Sequence, residues 1–321
     1  MTENGQNTAN SADAMDLCDP HFHLWDVPNR PNPNLGMSST YLASDYQRDM
    51  AHLPAQLRLV SGLHVETVVG QIQGGFPIDT VDETRWVCSQ LEPVGRPFGV
   101  VAYVHLARDT QEAERTIEQH KKISNSRLRG VRMILNHHPS DASLTWPQVE
   151  HGHFFSEPLF REGLALLEKH DLSFDLSCHP HQVADAVAVL RDFPAVRVVV
   201  NHLGFLHDGE DEAHEALWRT GQHALAELPN VYMKLSMLWF GRSDYHQDAP
   251  KEAKIRALVR ETIEIFGSER CMFASNYPVD RAKGIDIATL YGQFLAWTAD
   301  LSQTERTALF HDTAIRAYGS L

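Results

Sequence analysis

The sequence has few cysteines, no long apolar run and no cluster of basic residues. Its four cysteines, Cys18, Cys88, Cys178 and Cys271, are scattered without C-x-x-C spacing, so neither a disulfide framework nor a thiolate metal site is indicated. Three of them fall in predicted strands, where cysteine acts as a small buried apolar residue. No stretch reaches the roughly 18 apolar residues that a membrane span requires. Residues 1–14 are polar rather than basic and then apolar, which does not fit a secretory signal; they are expected to be a disordered tail on a cytoplasmic enzyme. With 28 Lys and Arg against 42 Asp and Glu, the net charge is -14. A chain this acidic disfavours nucleic acid and anionic membrane as partners, so a small anionic substrate would have to be held by local arginines. No G-x-G-x-x-G follows the first predicted strand, which argues against a dinucleotide-binding sheet.

What the chain does have, from residue 15 onward, is an alternation of short apolar runs with longer amphipathic segments, the pattern of βα units on a parallel sheet. Strands are predicted over Met15 to Cys18, Leu59 to Val65, Phe98 to Val104, Gly130 to Leu135, Leu172 to Cys178, Val196 to Asn201, Val231 to Ser236 and Cys271 to Ser275. Helices are predicted over Thr110 to Ile123, Pro158 to His170, His181 to Asp192, Glu212 to Glu227, Lys251 to Phe266 and Gln303 to Tyr318. Thr80 with Glu83, and Ser302 with Glu305, have capping-box spacing. Eight units predict an α/β protein with one (β/α)₈ barrel domain over 15–321.

In such a barrel, chemistry gathers at the C-terminal strand ends, and polar residues stand there in this sequence. His21 and His23 follow the first run, two residues apart in extended chain, so both imidazoles point the same way. They can hold a divalent metal, or grip a carbonyl oxygen and a proton. Glu66 follows the second run, Arg132 sits on the fourth, His179 and His181 follow the fifth, His202 the sixth and Asn276 the eighth. The long connections Asn136 to Glu157 and Met237 to Pro250 lie on the same side as pocket walls. In the second, Trp239 and Arg242 are candidate substrate contacts, as Glu66 is on its own strand end. Histidines 137, 138, 151 and 153 in the first lack metal-ligand spacing and are expected to be solvated. Asp16 and Asp19 are candidates to orient His21 or His23 through the other ring nitrogen, and a turn role is open for Asp19.

Together, Cys18-Asp19-Pro20-His21-Phe22-His23-Leu24-Trp25-Asp26, Gly130-Val131-Arg132, His179-Pro180-His181-Gln182, Asn201-His202-Leu203-Gly204 and Met272-Phe273-Ala274-Ser275-Asn276-Tyr277-Pro278-Val279-Asp280 resemble the amidohydrolase superfamily. The likeness is to its amidohydrolase-related branch, and within it to lactonase-type predicted metal-dependent hydrolases. That resemblance implies a mononuclear or metal-free site. If a metal is held, zinc on His21, His23 and His181 is implied, with His179 a second choice. It further implies a strand-six role for His202 and a substrate carboxylate or carbonyl contact for Arg132. Position 276 departs from the family, whose base there is usually Asp; an amide cannot accept a proton at neutral pH, so Asp280, His202 and Glu66 become candidates for that task.

The leading expectation is a hydrolase that opens a small lactone, from a sugar acid or an aromatic-degradation intermediate, by water attack on the ring carbonyl. A metal-dependent decarboxylase of the same branch is the alternative. A catalytically reduced ligand-binding barrel, motivated by Asn276, is the alternative of another class. A homo-oligomer is compatible with the sequence.

Overall fold

The computed structural model describes residues 14–26, 40–67, 72–73, 76–77, 80–208 and 212–321; nearly all of the expected N-terminal tail lies outside them. Eight parallel strands follow one another in chain order around one sheet: β1 (Met15–Phe22), β2 (Leu57–Val65), β3 (Phe98–Tyr103), β4 (Leu128–Ile134), β5 (Ser173–Ser177), β6 (Val198–Val200), β7 (Val231–Leu235) and β8 (Cys271–Phe273). At the mouth the ring closes on itself through a bridge between Phe22 and Tyr277, where His23 N donates to Tyr277 O at 2.7 Å and Asn276 N to His21 O at 2.8 Å. This is the (β/α)₈ barrel that the alternating runs predict. Among the described residues, no helix is long and apolar enough to cross a membrane.

Side-chain alternation sorts the core into two layers. Cys18, Leu63, Val65, Val101, Val199, Tyr232 and Met272 point inward and meet Ala314, Ala317 and Tyr318 from the C-terminal helix α1 (Thr313–Tyr318). The opposite faces of the strands pack on the surrounding helices in a larger apolar cluster. Helix α1 seals the N-terminal floor of the barrel: Arg129, at the start of β4, donates to Ser320 O at 2.8 Å, and Arg197, just before β6, to Ala317 O at 2.9 Å. All four cysteines are free and buried.

The helices begin and end where the local chemistry directs. The segment Thr110–Ile123 starts at Asp109, whose carboxylate accepts from Glu112 N at 2.8 Å, and carries Lys121 and Lys122 in its last turn, charges that suit the helix C-terminus. The capping box at Ser302 and Glu305 forms. The one expected at Thr80 does not: Thr80 is the first helical residue of Thr80–Leu91, and Glu83 Oε1 instead accepts from Thr67 N and Oγ1 at 2.7 and 2.8 Å. Two further corrections concern element limits. Strand β1 continues past Cys18 to Phe22, so His21 lies within the strand, and the segment expected as one helix from Gln303 to Tyr318 is interrupted by a π turn over Ala308–Asp312.

Candidate active site

His21 and His23 converge as their spacing requires, with the two Nε2 atoms 3.2 Å apart. Both rings are buried, so they form part of the barrel interior rather than an exposed rim. Burial, with the nearby Lys234 and Arg132 cations, holds both imidazoles well below the usual histidine range, and His202 likewise. They are therefore neutral at pH 7, each with one N–H and one lone pair. Which nitrogen carries the hydrogen follows from His23, whose Nδ1 lies 2.8 Å from Val65 O. A carbonyl oxygen only accepts, so Nδ1 of His23 is the donor and its Nε2 has the lone pair. The contact between the two rings then requires His21 Nε2–H to donate to His23 Nε2.

On its other side, His21 Nδ1 lies 3.3 Å from Lys234 Nζ, and Lys234 donates to Asp175 Oδ2 at 2.6 Å. Sequence reasoning missed both residues. Their signal was a charge at an inward position of an otherwise apolar strand, Phe174-Asp175-Leu176 and Met233-Lys234-Leu235. The His202 ring lies 4.5 Å from that of His21, and its Nδ1 is 3.0 Å from Ser236 Oγ. His202 stands in the turn His202–Phe205, whose residues all have left-handed φ, and a Cβ at Gly204 would come within 2.4 Å of Gln222 Nε2. This accounts for glycine at the end of Asn201-His202-Leu203-Gly204.

At the closure of the ring, Asn276 adopts φ 54°, a region asparagine tolerates better than most residues. Its Nδ2 donates to Asp280 Oδ2 at 2.6 Å, and Trp239 Nε1 donates to the same oxygen at 3.2 Å. Burial outweighs those two donors and pushes the Asp280 carboxyl up to about 7. Thus a titratable carboxyl stands beside the amide that replaces the expected Asp. Asp19 braces the junction from below, accepting from Ser275 N at 2.9 Å, Ser275 Oγ at 2.6 Å and Tyr46 OH at 2.8 Å. Asp16 does not orient either histidine; it pairs with Arg58 at 2.6 Å. Arg132 and Glu66 are joined through Nε to Oε1 at 2.6 Å and Nη2 to the Glu66 carbonyl at 2.5 Å.

Two expected site residues lie elsewhere. His181 sits in a 3-10 turn over Pro180–Gln182, where its exposed ring meets His137 O at 3.0 Å and the ring of His138 at 5.4 Å. His179 is held by Leu144 O at 2.7 Å, and Phe205 touches both His179 and His202. Arg242 turns away to Glu215 Oε2 at 2.5 Å, in a charged surface cleft with Arg219 and Glu261. A long charged side chain near an acidic helix finds its partner there. Trp239 does join the site, through Asp280, with Lys283 Nζ 4.4 Å from its ring centroid.

The amidohydrolase family model matches residues 18–320. The chain belongs to the amidohydrolase family. This amidohydrolase is 31% identical over 317 residues to a Sinorhizobium fredii protein described as uncharacterized, covering 94% of this chain and 98% of that one. It is 28% identical over 308 residues to an L-fucono-1,5-lactonase of Burkholderia multivorans, with 94% and 95% covered. Among solved structures, it is similar to an amidohydrolase from Burkholderia multivorans with bound zinc, at 25% identity, 95% and 99% coverage and a TM-score of 0.75.

Whether this amidohydrolase's own residues fit such a metal can be judged from their donors. His21, His23 and His181 do not come together, and among the described residues no three His, Cys, Asp or Glu side chains form a metal-holding group. Of the histidine pair, only His23 has its lone pair on Nε2. Binding through both Nε2 atoms would move the His21 hydrogen to Nδ1, where it would face the Lys234 ammonium, a second donor, at 3.3 Å. The residues present do not fit a divalent ion.

Proposed function

We propose that the protein hydrolyses the C–O ester bond of a small lactone, of sugar-acid or aromatic-degradation type. The observation that carries this reading is a carboxyl poised near 7, Asp280, at the same barrel mouth as a pair of neutral imidazoles. A base titrating near the working pH combines a useful charged fraction with a useful proton affinity. In the proposed reaction the Asp280 carboxylate takes a proton from water as the water oxygen bonds to the ring carbonyl carbon. The Nε2–H of His21 exchanges its bond to His23 Nε2 for one to the carbonyl oxygen as that oxygen gains negative charge, and the buried Arg132 guanidinium favours that charge electrostatically. The tetrahedral adduct collapses by breaking the ring C–O bond, and Asp280 returns the proton to the departing alkoxide. The product is a hydroxy acid. Asn276 orients Asp280 in this scheme, and Arg132, braced by Glu66, is placed to meet the substrate carbonyl or a carboxylate. Trp239 covers Asp280 from the connection after β7.

The likeness to an L-fucono-1,5-lactonase supports a lactone as substrate. A decarboxylase of the same branch would need a metal-held electron sink, which the committed histidine lone pairs oppose. A binding barrel that lost its base at position 276 is opposed by the titratable carboxyl four residues on. The test is a panel of sugar-acid lactones and pyrone carboxylates followed by proton release and hydroxy-acid formation. Turnover of at least one lactone is expected; ligand-induced stabilisation without turnover of any would establish the binding reading instead.

A further inference from the structure

We propose that Lys234 is a positioning residue that fixes the tautomer of His21, and that Asp175 and Tyr318 hold it in place from the floor of the barrel. A single line of hydrogen bonds runs through the barrel interior: Tyr318 OH to Asp175 Oδ1 at 2.7 Å, Lys234 Nζ to Asp175 Oδ2 at 2.6 Å, Lys234 Nζ to His21 Nδ1 at 3.3 Å, His21 Nε2 to His23 Nε2 at 3.2 Å, and His23 Nδ1 to Val65 O at 2.8 Å. Every side chain in it is buried.

The two ends of the line favour the same direction. At the mouth, the Val65 carbonyl can only accept, which makes His23 a donor through Nδ1 and an acceptor through Nε2. At the floor, Asp175 takes hydrogens from both Tyr318 and Lys234, and its carboxylate at 2.6 Å opposes the burial that lowers the Lys234 pKa; as an ammonium Lys234 has no lone pair, so it faces His21 as a donor and His21 Nδ1 offers its lone pair. Both ends demand the same His21, with hydrogen on Nε2. The opposite tautomer would set two donors against each other at Lys234 and two acceptors against each other at Val65. The ring nitrogen that faces the chemistry is set by the bond the other nitrogen makes. Lys234 acts through His21 and touches no substrate. Its register is built into the sheet: Asp175 pairs with Val199 and Val199 with Tyr232, which places Lys234 one inward position further along β7.

A buried ammonium with its carboxylate is weak evidence for a stabilising role, because replacing both by neutral groups is often tolerated, whereas removing one leaves an uncompensated charge. The experiment therefore uses two variants of the full chain, Lys234→Met and Lys234→Met/Asp175→Asn, with the double variant expected to fold if the single one fails. Histidine-labelled protein is examined by long-range ¹H–¹⁵N correlation, with the His21 signals assigned from their loss in His21→Gln. In the native protein His21 is expected as the pure Nε2–H form. In the folded double variant only the Val65 end still favours that form, so an Nδ1–H fraction is expected beside it. An Nδ1–H His21 in the native protein, or a pure Nε2–H His21 in the folded double variant, overturns the proposal.

That arm stands without the lactonase reading; only the kinetic arm rests on it. There, kcat on the best lactone is expected to fall roughly 10- to 100-fold, the scale for loss of a group that orients another, with KM little changed. Unaltered kcat alongside a changed tautomer would refute the positioning role. An inactive native protein would refute the lactonase reading and leave the tautomer result to decide this one.

Discussion

Asp280→Asn separates the chemistry of the site from its stability. Burial raises the Asp280 carboxyl from an ordinary 3.8 to about 7, so between those values the folded protein holds a proton that the unfolded chain has released. Stability therefore falls as pH rises through that window and stays lowered above it. One tenfold step in proton concentration is worth about 1.4 kcal/mol, and the slope weakens as the folded carboxyl begins to ionise, so the native protein loses about 2 kcal/mol from this group between about pH 5 and pH 7. The amide cannot ionise, yet it keeps an oxygen for Asn276 Nδ2 and Trp239 Nε1, which now donate at 2.6 and 3.2 Å. The variant should be close to native stability only below about pH 4 and increasingly more stable than native as pH rises to 7, while losing roughly 100-fold or more in turnover as its proton acceptor disappears. Denaturant unfolding of both proteins across that range reads the first effect, and kcat/KM against pH the second, with the native rising limb centred near 7. Equal pH slopes of stability would refute the buried-carboxyl argument; undiminished hydrolysis by the variant would remove Asp280 from the mechanism.

Three more outcomes are expected. Arg132→Lys cannot reproduce the Nε and Nη2 fork on Glu66, so urea unfolding should show a loss of about 1–3 kcal/mol, in the range for a buried group left unpaired, together with a raised KM; unchanged values of both would make the fork dispensable. Asn276→Asp places a second carboxylate in hydrogen-bonding range of Asp280, and two such groups share a proton. The rising limb of its pH profile should move above 7 and neutral activity should drop, so a large gain at neutral pH would contradict the assignment. Dialysis against a chelator should leave activity intact, as the committed histidine lone pairs require; loss of activity restored by zinc would show that the pair rearranges to bind it.

The barrel was legible because each strand is a short apolar run bounded by polar residues, and β3, β5 and β7 each lie within a residue or so of their expected limits. The histidine pair was legible because strand parity alone brings His21 to His23. Lys234 and Asp175 were not, because a search for apolar runs averages away a single charge, and their contact spans two strand pairings and 59 residues of sequence. His181 looked equivalent to His202 in sequence; a 3-10 turn turned it toward His137, whereas the left-handed turn at His202 set that ring against His21. The carboxyl at 280 was one of three candidates, all of them buried; what sets it apart is the hydrogen bond from Asn276 Nδ2, and that depends on how β8 closes against β1.

The helix that seals the barrel floor has a consequence for the order in which the protein becomes competent. Tyr318 follows all eight strands in the chain, yet it anchors Asp175 and, through Lys234, the histidine pair at the far end of the barrel. All eight strands can leave the ribosome and pair while the floor is still open, with Asp175 and Lys234 facing water through the gap. Only the arrival of helix α1 removes that water and completes the polar line, so completion of the reactive end is coupled to the docking of α1.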